Sequence, residues 1–174
     1  MTTSTIKVRP ELPQDIPGIR RVHTSAFQSA QEADLVDLCR QRGRVVLSLT
    51  ALLQGEVAGH ILFTPLTLDP PHPGLRGLGL GPIAVLPARQ REGIGTRLMT
   101  IGLEMCRTQG IDFIVLLGDP GYYTRFGFIP GREFGLSSDY GDGDAFQARE
   151  VRPGALRGVR ARVQYVPEFA ETVG

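Results

Sequence analysis

The sequence predicts an α+β domain, a central mixed and mostly antiparallel twisted sheet flanked by helices, and three observations carry that prediction. A short early strand is followed by two stretches with helical apolar spacing. Two β-prone runs separated by only three residues read as an antiparallel hairpin. An apolar strand, a glycine-bearing turn, an amphipathic helix and a second apolar strand then follow as a β-α-β unit. At 174 residues, 41% of them hydrophobic, the chain can bury a real core and is near the usual size of one domain, so residues 1–174 are expected to form a single domain.

Each element has a local reason. Ile6-Lys7-Val8-Arg9 alternates apolar with basic residues, which suits a strand with one wet face, and Pro10 is expected to stop it. After Pro13, Ile16, Ile19, Val22, Ala26 and Phe27 recur at helical spacing, with Asp15 near the start where the helix dipole favours negative charge. Ala33, Leu35, Val36, Leu38 and Cys39 mark a second helix that Gly43 should end. Val45 to Leu53 and Val57 to Phe63 are the hairpin strands around Gln54-Gly55-Glu56. From Asp69 to Gly77, three prolines and two glycines impose a surface loop. Leu78 to Leu86 is the next strand, Ile94, Leu98, Ile101 and Met105 share one helical face, and Phe113 to Leu117 has the fully apolar look of a strand covered on both sides. The last third offers Asp119-Pro120-Gly121-Tyr122-Tyr123, a Gly/Asp-rich loop near residues 135–144, and a strand-like run from Val159 to Val166.

Composition removes several function classes. Lys plus Arg number 19 against 18 for Asp plus Glu, so the overall pull toward polyanions that nucleic-acid binding requires is absent. Met1 to Thr5 lacks a basic segment followed by an apolar one, and no apolar run is long enough to span a bilayer, so a cytoplasmic protein without a membrane partner is expected. Cys39 and Cys106 belong to no Cys-x-x-Cys pair and to no set spaced with His, which points to reduced core thiols.

The chemistry concentrates where strand passes into helix, at Gln90-Arg91-Glu92-Gly93-Ile94-Gly95. Glycines at 93 and 95 leave backbone amides uncovered at a helix start, and Arg91 adds a full positive charge, so a diphosphate would fit there. Three further accounts bear on these glycines. They could simply permit tight packing of helix on strand. A dinucleotide loop of the Rossmann kind would need a third glycine where Leu98 stands. A Walker loop is excluded, because no Gly-Lys-Ser/Thr follows Gly93.

The run also fills the pattern Gln/Arg-x-x-Gly-x-Gly/Ala, and on it the chain resembles the GNAT superfamily of acyl-CoA-dependent N-acetyltransferases. The resemblance covers nearly the whole chain through the order of its elements. The flanks Gly81 to Pro87 and Leu117 to Phe128 look most like the YhbS-like branch. The resemblance implies the GNAT fold, with two central parallel strands splaying apart. It implies acetyl-CoA as co-substrate, no metal, and a primary amine on a small molecule or a protein as acceptor. It further implies that the backbone of Ile83, Ala84 and Val85 pairs with the pantetheine arm. Arg91, Glu92, Gly93, Ile94, Gly95 and Thr96 would cradle the pyrophosphate. Members are monomers or homodimers.

Transfer to an amine needs a neutral nucleophile, stabilisation of an oxyanion and a proton for the departing thiolate. By resemblance Tyr123, four residues before Gly127-Phe128, takes the place of the general acid; the alternative is that Tyr122 and Tyr123 simply pack over the end of the sheet. Glu32 is the candidate base, with His23, His60 or a water chain as alternatives. A backbone amide in Ile83 to Val85 is expected to meet the oxyanion. Asp139, Asp142 and Asp144 lack the spacing of a calcium loop and read as a flexible acidic loop. An alternative in another class is a CoA-binding module without turnover.

Overall fold

The computed structural model describes residues 5–173, the last of them by its backbone alone, so the reading of Met1 to Ser4 as free of a targeting segment lies outside the described residues. In the first half of the chain come β1 (Ile6–Pro10), α1 (Ile16–Phe27), α2 (Gln31–Gln41), β2 (Leu47–Leu53), β3 (Glu56–Asp69) and β4 (Gly77–Val85). After them follow α3 (Ile94–Thr108), β5 (Phe113–Leu117), α4 (Pro120–Tyr123), β6 (Ile129–Pro130), β7 (Leu136–Ser138), β8 (Phe146–Glu150), β9 (Ala161–Tyr165) and α5 (Glu168–Val173). The arrangement is the expected α+β fold with a mixed sheet, and it resolves into two compact units.

The first unit comprises Met1–Phe63, Pro82–Gly102 and Pro167–Gly174. Gln54 and Gly55 both hold positive φ, 52° and 80°, which gives the two-residue turn whose twist matches a hairpin. It sets β2 against β3 in antiparallel register from Leu53↔Glu56 to Leu47↔Phe63, with a bulge after Ala51. β1 adds to the other edge of β2, Ile6 facing Leu53, and Pro10 remains inside the strand opposite Leu49. Helices α1 and α2 bury Ile19, Val22, Leu35, Val36 and Cys39. Asp15 precedes α1 as foreseen, but its side chain is spent on Arg9, at 2.6 and 3.0 Å, and on the Leu12 amide rather than on the helix dipole alone.

The second unit comprises Thr64–Gly81 and Leu103–Val166. β3 does not stop at Phe63 as the sequence suggested. It continues through Pro65, which cannot donate to a ladder, and then pairs with β9 from Leu66↔Tyr165 to Asp69↔Arg162. β4 runs parallel to β5 over only three residues, Gly77↔Phe113 to Gly79↔Val115. β5 continues antiparallel to β8, and β8 to β6, while β7 lies parallel to β9. Phe113, Val115, Phe146, Ala148 and Val163 form the heart of this unit's core.

Three local expectations need correction. Leu117 is 39% exposed, so β5 is not covered on both faces along its whole length. The stretch 135–144 is not all loop, because Leu136–Ser138 pairs with Ala161–Val163. The buried face of α3 is Ile94, Leu98, Met99, Leu103 and Cys106, while Ile101 and Met105 are half-buried at its border.

Candidate active site

β4 leaves β5 where the sequence carries Gly81 and Pro82. Gly81 adopts φ 144°, a conformation other residues avoid, and the β5 register has ended two residues earlier at Gly79. Ile83, Ala84 and Val85 therefore continue as strand with no β5 partner, which is the splay the resemblance implied. On the other side the chain stays tied to β3, the Leu86 amide donating to the Ala58 carbonyl at 2.9 Å. A main chain with one unpaired edge can accept an extended amide-bearing ligand as an added strand. The Gln90 side chain reaches back to donate to the Val85 carbonyl at 3.2 Å, so that carbonyl is partly spoken for.

Between β4 and α3 a short helical turn at Pro87–Arg89 leads into the loop. Arg91 (φ 65°) and Gly93 (φ 89°) both take left-handed backbone. The first helical bond of α3 runs from the Arg97 amide to the Gly93 carbonyl, 3.0 Å, so the amides of Ile94, Gly95 and Thr96 have no acceptor within the helix. α3 is a full 15-residue helix, and these amides sit at the positive end of its dipole. Arg91, Glu92, Gly93 and Thr96 are exposed and Gly95 is half-exposed, whereas Ile94 is buried and pins the turn.

The glycines divide their roles. A side chain at Gly59 of β3 would meet Ile94 Cγ2 at 2.8 Å and Leu98 Cδ1 at 3.1 Å, so Gly59 is what lets α3 pack closely on the strand. A side chain at Gly93 would meet nothing within 4 Å. Tight packing therefore does not explain Gly93; its left-handed backbone favours glycine, and the space beside the free amides of α3 is open.

Tyr123 ends α4 in the second unit, a single turn started by Pro120 and capped by Asp119, whose carboxylate accepts from the Gly121 amide at 2.9 Å. Its ring meets Tyr122 edge-on at 4.9 Å and Phe128 at 6.2 Å, and a side chain at Gly118 would collide with it. Burial, with Tyr122 and Asp119 adding to it, pushes the Tyr123 phenol up to about 12. The phenol is thus protonated throughout the neutral range but is a weaker acid than a free tyrosine. It suits donation of a hydrogen bond to a developing thiolate better than outright loss of its proton.

Glu32 lies in the first turn of α2, half-buried, and its Oε2 is buried without a hydrogen-bond partner. The two histidines weighed as alternatives are brought together. His23 on α1 and His60 on β3 are fully buried, with His23 Nε2 2.8 Å from His60 Nδ1. His60 Nε2 lies 2.7 Å from Ser48 Oγ, Ser48 donates to Glu11 at 3.0 Å, and Arg40 clasps both oxygens of Glu11 at 2.7 and 2.9 Å. Nothing in the spacing of these residues announces the network. Only the facing of one helix and two strands creates it. The acidic residues near 140 are engaged in ion pairs, Asp144 with Arg132 at 2.6 Å and Asp139 with Arg162 at 3.2 Å. Among the described residues no group of three or more His, Cys, Asp or Glu is placed to hold a metal.

Comparison with known proteins bears on this geometry. Residues 7–131 match the acetyltransferase (GNAT) domain family. The chain is 34% identical over 164 residues to the uncharacterized N-acetyltransferase YhbS of Escherichia coli, covering 93% of this chain and 97% of that protein. The crystal structure of E. coli YhbS in complex with CoA superposes with a TM-score of 0.92 at 31% identity, covering 98% of this chain and 94% of the other. A GNAT family acetyltransferase from Brucella melitensis in complex with acetyl-CoA superposes with a TM-score of 0.78 at 37% identity, over 95% and 98% of the two chains.

Proposed function

The chain belongs to the GNAT acetyltransferase family, and on that premise we propose that it transfers the acetyl group of acetyl-CoA directly to a primary amine. The observation that carries the proposal is the cradle at Arg91 to Thr96, with three amides free at the start of α3, Gly93 open to at least 4 Å and Arg91 beside them. These groups suit a diphosphate, and the unpaired backbone of Ile83 to Val85 suits the two amides of a pantetheine arm. Glu92, exposed in the same loop, contributes its backbone rather than its charge.

Aminolysis of a thioester by an ammonium ion yields amide, thiol and one proton in excess. Nitrogen must shed two protons, of which one ends on sulfur and one leaves the site. We assign Tyr123 to the sulfur side, where its protonated phenol hydrogen-bonds to the thiolate as the C–S bond breaks. Glu32 is assigned to the amine side, where a buried carboxylate oxygen without a partner can receive a proton from the cationic acceptor. A backbone amide of Ile83 to Val85 serves the oxyanion. We place the acceptor among primary amines of small molecules, amino-acid-like compounds or protein termini.

Among the described residues no helix is long and apolar enough to cross a membrane. Two free, buried cysteines suit a reducing compartment, and we place the protein in the cytoplasm.

Titration with CoA and with pantetheine, which lacks the diphosphate, tests the cradle. Wild type should bind CoA far more tightly than pantetheine, and Gly93→Val should lose most of that difference. Equal affinity of Gly93→Val and wild type for CoA would defeat the assignment.

A further inference from the structure

The second unit carries a cavity of about 620 Å³ that no step of acetyl transfer uses. That volume lies in the ~300–1,000 Å³ range of small-molecule sites. Residues 132–135 and 154–160 line it, together with Glu150 of β8. The two segments are pinned to each other where the Ala161 amide donates to the Gly135 carbonyl at 3.1 Å, and a side chain on Gly135 would collide with the Val159 carbonyl. The longer segment is held by its own turns. The Arg157 amide donates to Gly154 and the Val159 amide to Leu156, each at 3.1 Å, while the Leu156 amide donates to the Glu150 carboxylate at 2.8 Å. With its wall fixed in this way, the cavity can take a ligand at little cost in ordering.

The charges on that wall are unusual for this unit. Arg107, Arg132, Arg152 and Arg162 pair with carboxylates, Arg76 and Arg149 donate to carbonyls, and Arg125 lies over the Tyr122 ring. Arg157 and Arg160, both exposed, have no hydrogen bond, ion pair or ring contact among the described residues. Glu133, exposed on the shorter segment, makes no hydrogen bond or ion pair either, and only its field reaches Arg132. Opposite charges that line one cavity without meeting are complemented by a ligand carrying both signs. A guanidinium fork suits a carboxylate, and a lone carboxylate suits an ammonium. Beside Glu133, the half-buried Phe134 offers an apolar surface, backed by buried Leu156 and Val159.

We propose that this cavity binds a free α-amino acid with an apolar side chain. Arg157 and Arg160 hold its carboxylate, Glu133 its ammonium group, and Phe134 its side chain. The site is separate from acetyl transfer. Glu150 pairs with Phe113 at the start of β5, whereas Tyr123 packs against Gly118 just past the end of β5, about 13 Å of strand away. The inference therefore does not depend on the amine-acetylation reading, and its test needs no turnover.

Calorimetric titration of the wild-type protein with L-leucine, 4-methylpentanoate and 3-methylbutylamine tests it, because the last two keep the side chain and lack the amine or the carboxylate. L-Leucine should bind, and each analogue should bind at least ~10-fold more weakly. Arg157→Gln combined with Arg160→Gln, and separately Glu133→Gln, should each weaken L-leucine by at least ~10-fold while CoA affinity stays at the wild-type value. The ligand series uses no variant, so it decides even where a substitution disturbs the fold. No measurable binding of L-leucine at millimolar concentration would overturn the proposal. So would either analogue binding as tightly as L-leucine, or L-leucine binding that is indifferent to the substitutions.

Discussion

His23 Nε2 and His60 Nδ1 lie 2.8 Å apart, with both rings fully buried. Two imidazoles held in this way have a measurable consequence for stability. Burial lowers the His23 pKa to about 4 and lowers that of His60 well below its ordinary value, whereas in the unfolded chain each titrates near ~6.5. Below that pH the unfolded state binds protons that the native state refuses, so stability falls as pH drops from about 6.5 toward 4. Each ring contributes up to about 1.4 kcal/mol per pH unit in that window. The urea midpoint should therefore decline between pH 7.5 and 5, before most carboxylates titrate. A midpoint that stays level over that range would show that the rings are not buried neutral in solution.

Tyr123 leads to a prediction about rate rather than affinity. Its phenol, pushed up to about 12, remains protonated at any working pH, so the expected role is hydrogen-bond donation to sulfur. Tyr123→Phe keeps the ring contacts with Tyr122 and Phe128 and removes only the hydroxyl. We expect kcat to fall by ~10²-fold with CoA binding intact. An unchanged kcat would reduce Tyr123 to packing.

Neither compact unit is a continuous stretch of chain, for the sequence enters or leaves each at Phe63, Gly81, Gly102 and Val166. We infer a single folding domain, since no one cut would release either unit whole. Thermal unfolding followed by far-ultraviolet and tyrosine signals should then give one coincident transition. Two separated transitions would mean two domains.

The elements that were legible in the sequence are those with local causes. The loop at Gln90 to Gly95 could be read because glycines, a basic residue and the apolar period of α3 are contiguous. The hairpin was legible from Gln54-Gly55. What escaped is non-local. β6 has two residues and exists only because Ile129 and Pro130 face Ala148 and Gln147. β8 hides its nature by burying Gln147, 1% exposed, whose amide donates to the Gly118 carbonyl. His23 and His60 are 37 residues apart, on a helix and a strand, and no spacing rule connects them. α5 is equally non-local: it packs on α2 and is tied to the rest of its unit in part by ion pairs, Glu168 to Arg44 at 3.1 Å and Glu171 to Arg42 at 2.6 Å.

Acetyl transfer itself is tested most directly by following free thiol from acetyl-CoA in the presence of a panel of primary amines, with the acetylated product identified by mass. We expect release that depends on the amine and matches the amide formed mole for mole. Tight binding of CoA with no amine in the panel raising thiol release above the hydrolytic background would contradict transferase function and leave a CoA-binding module.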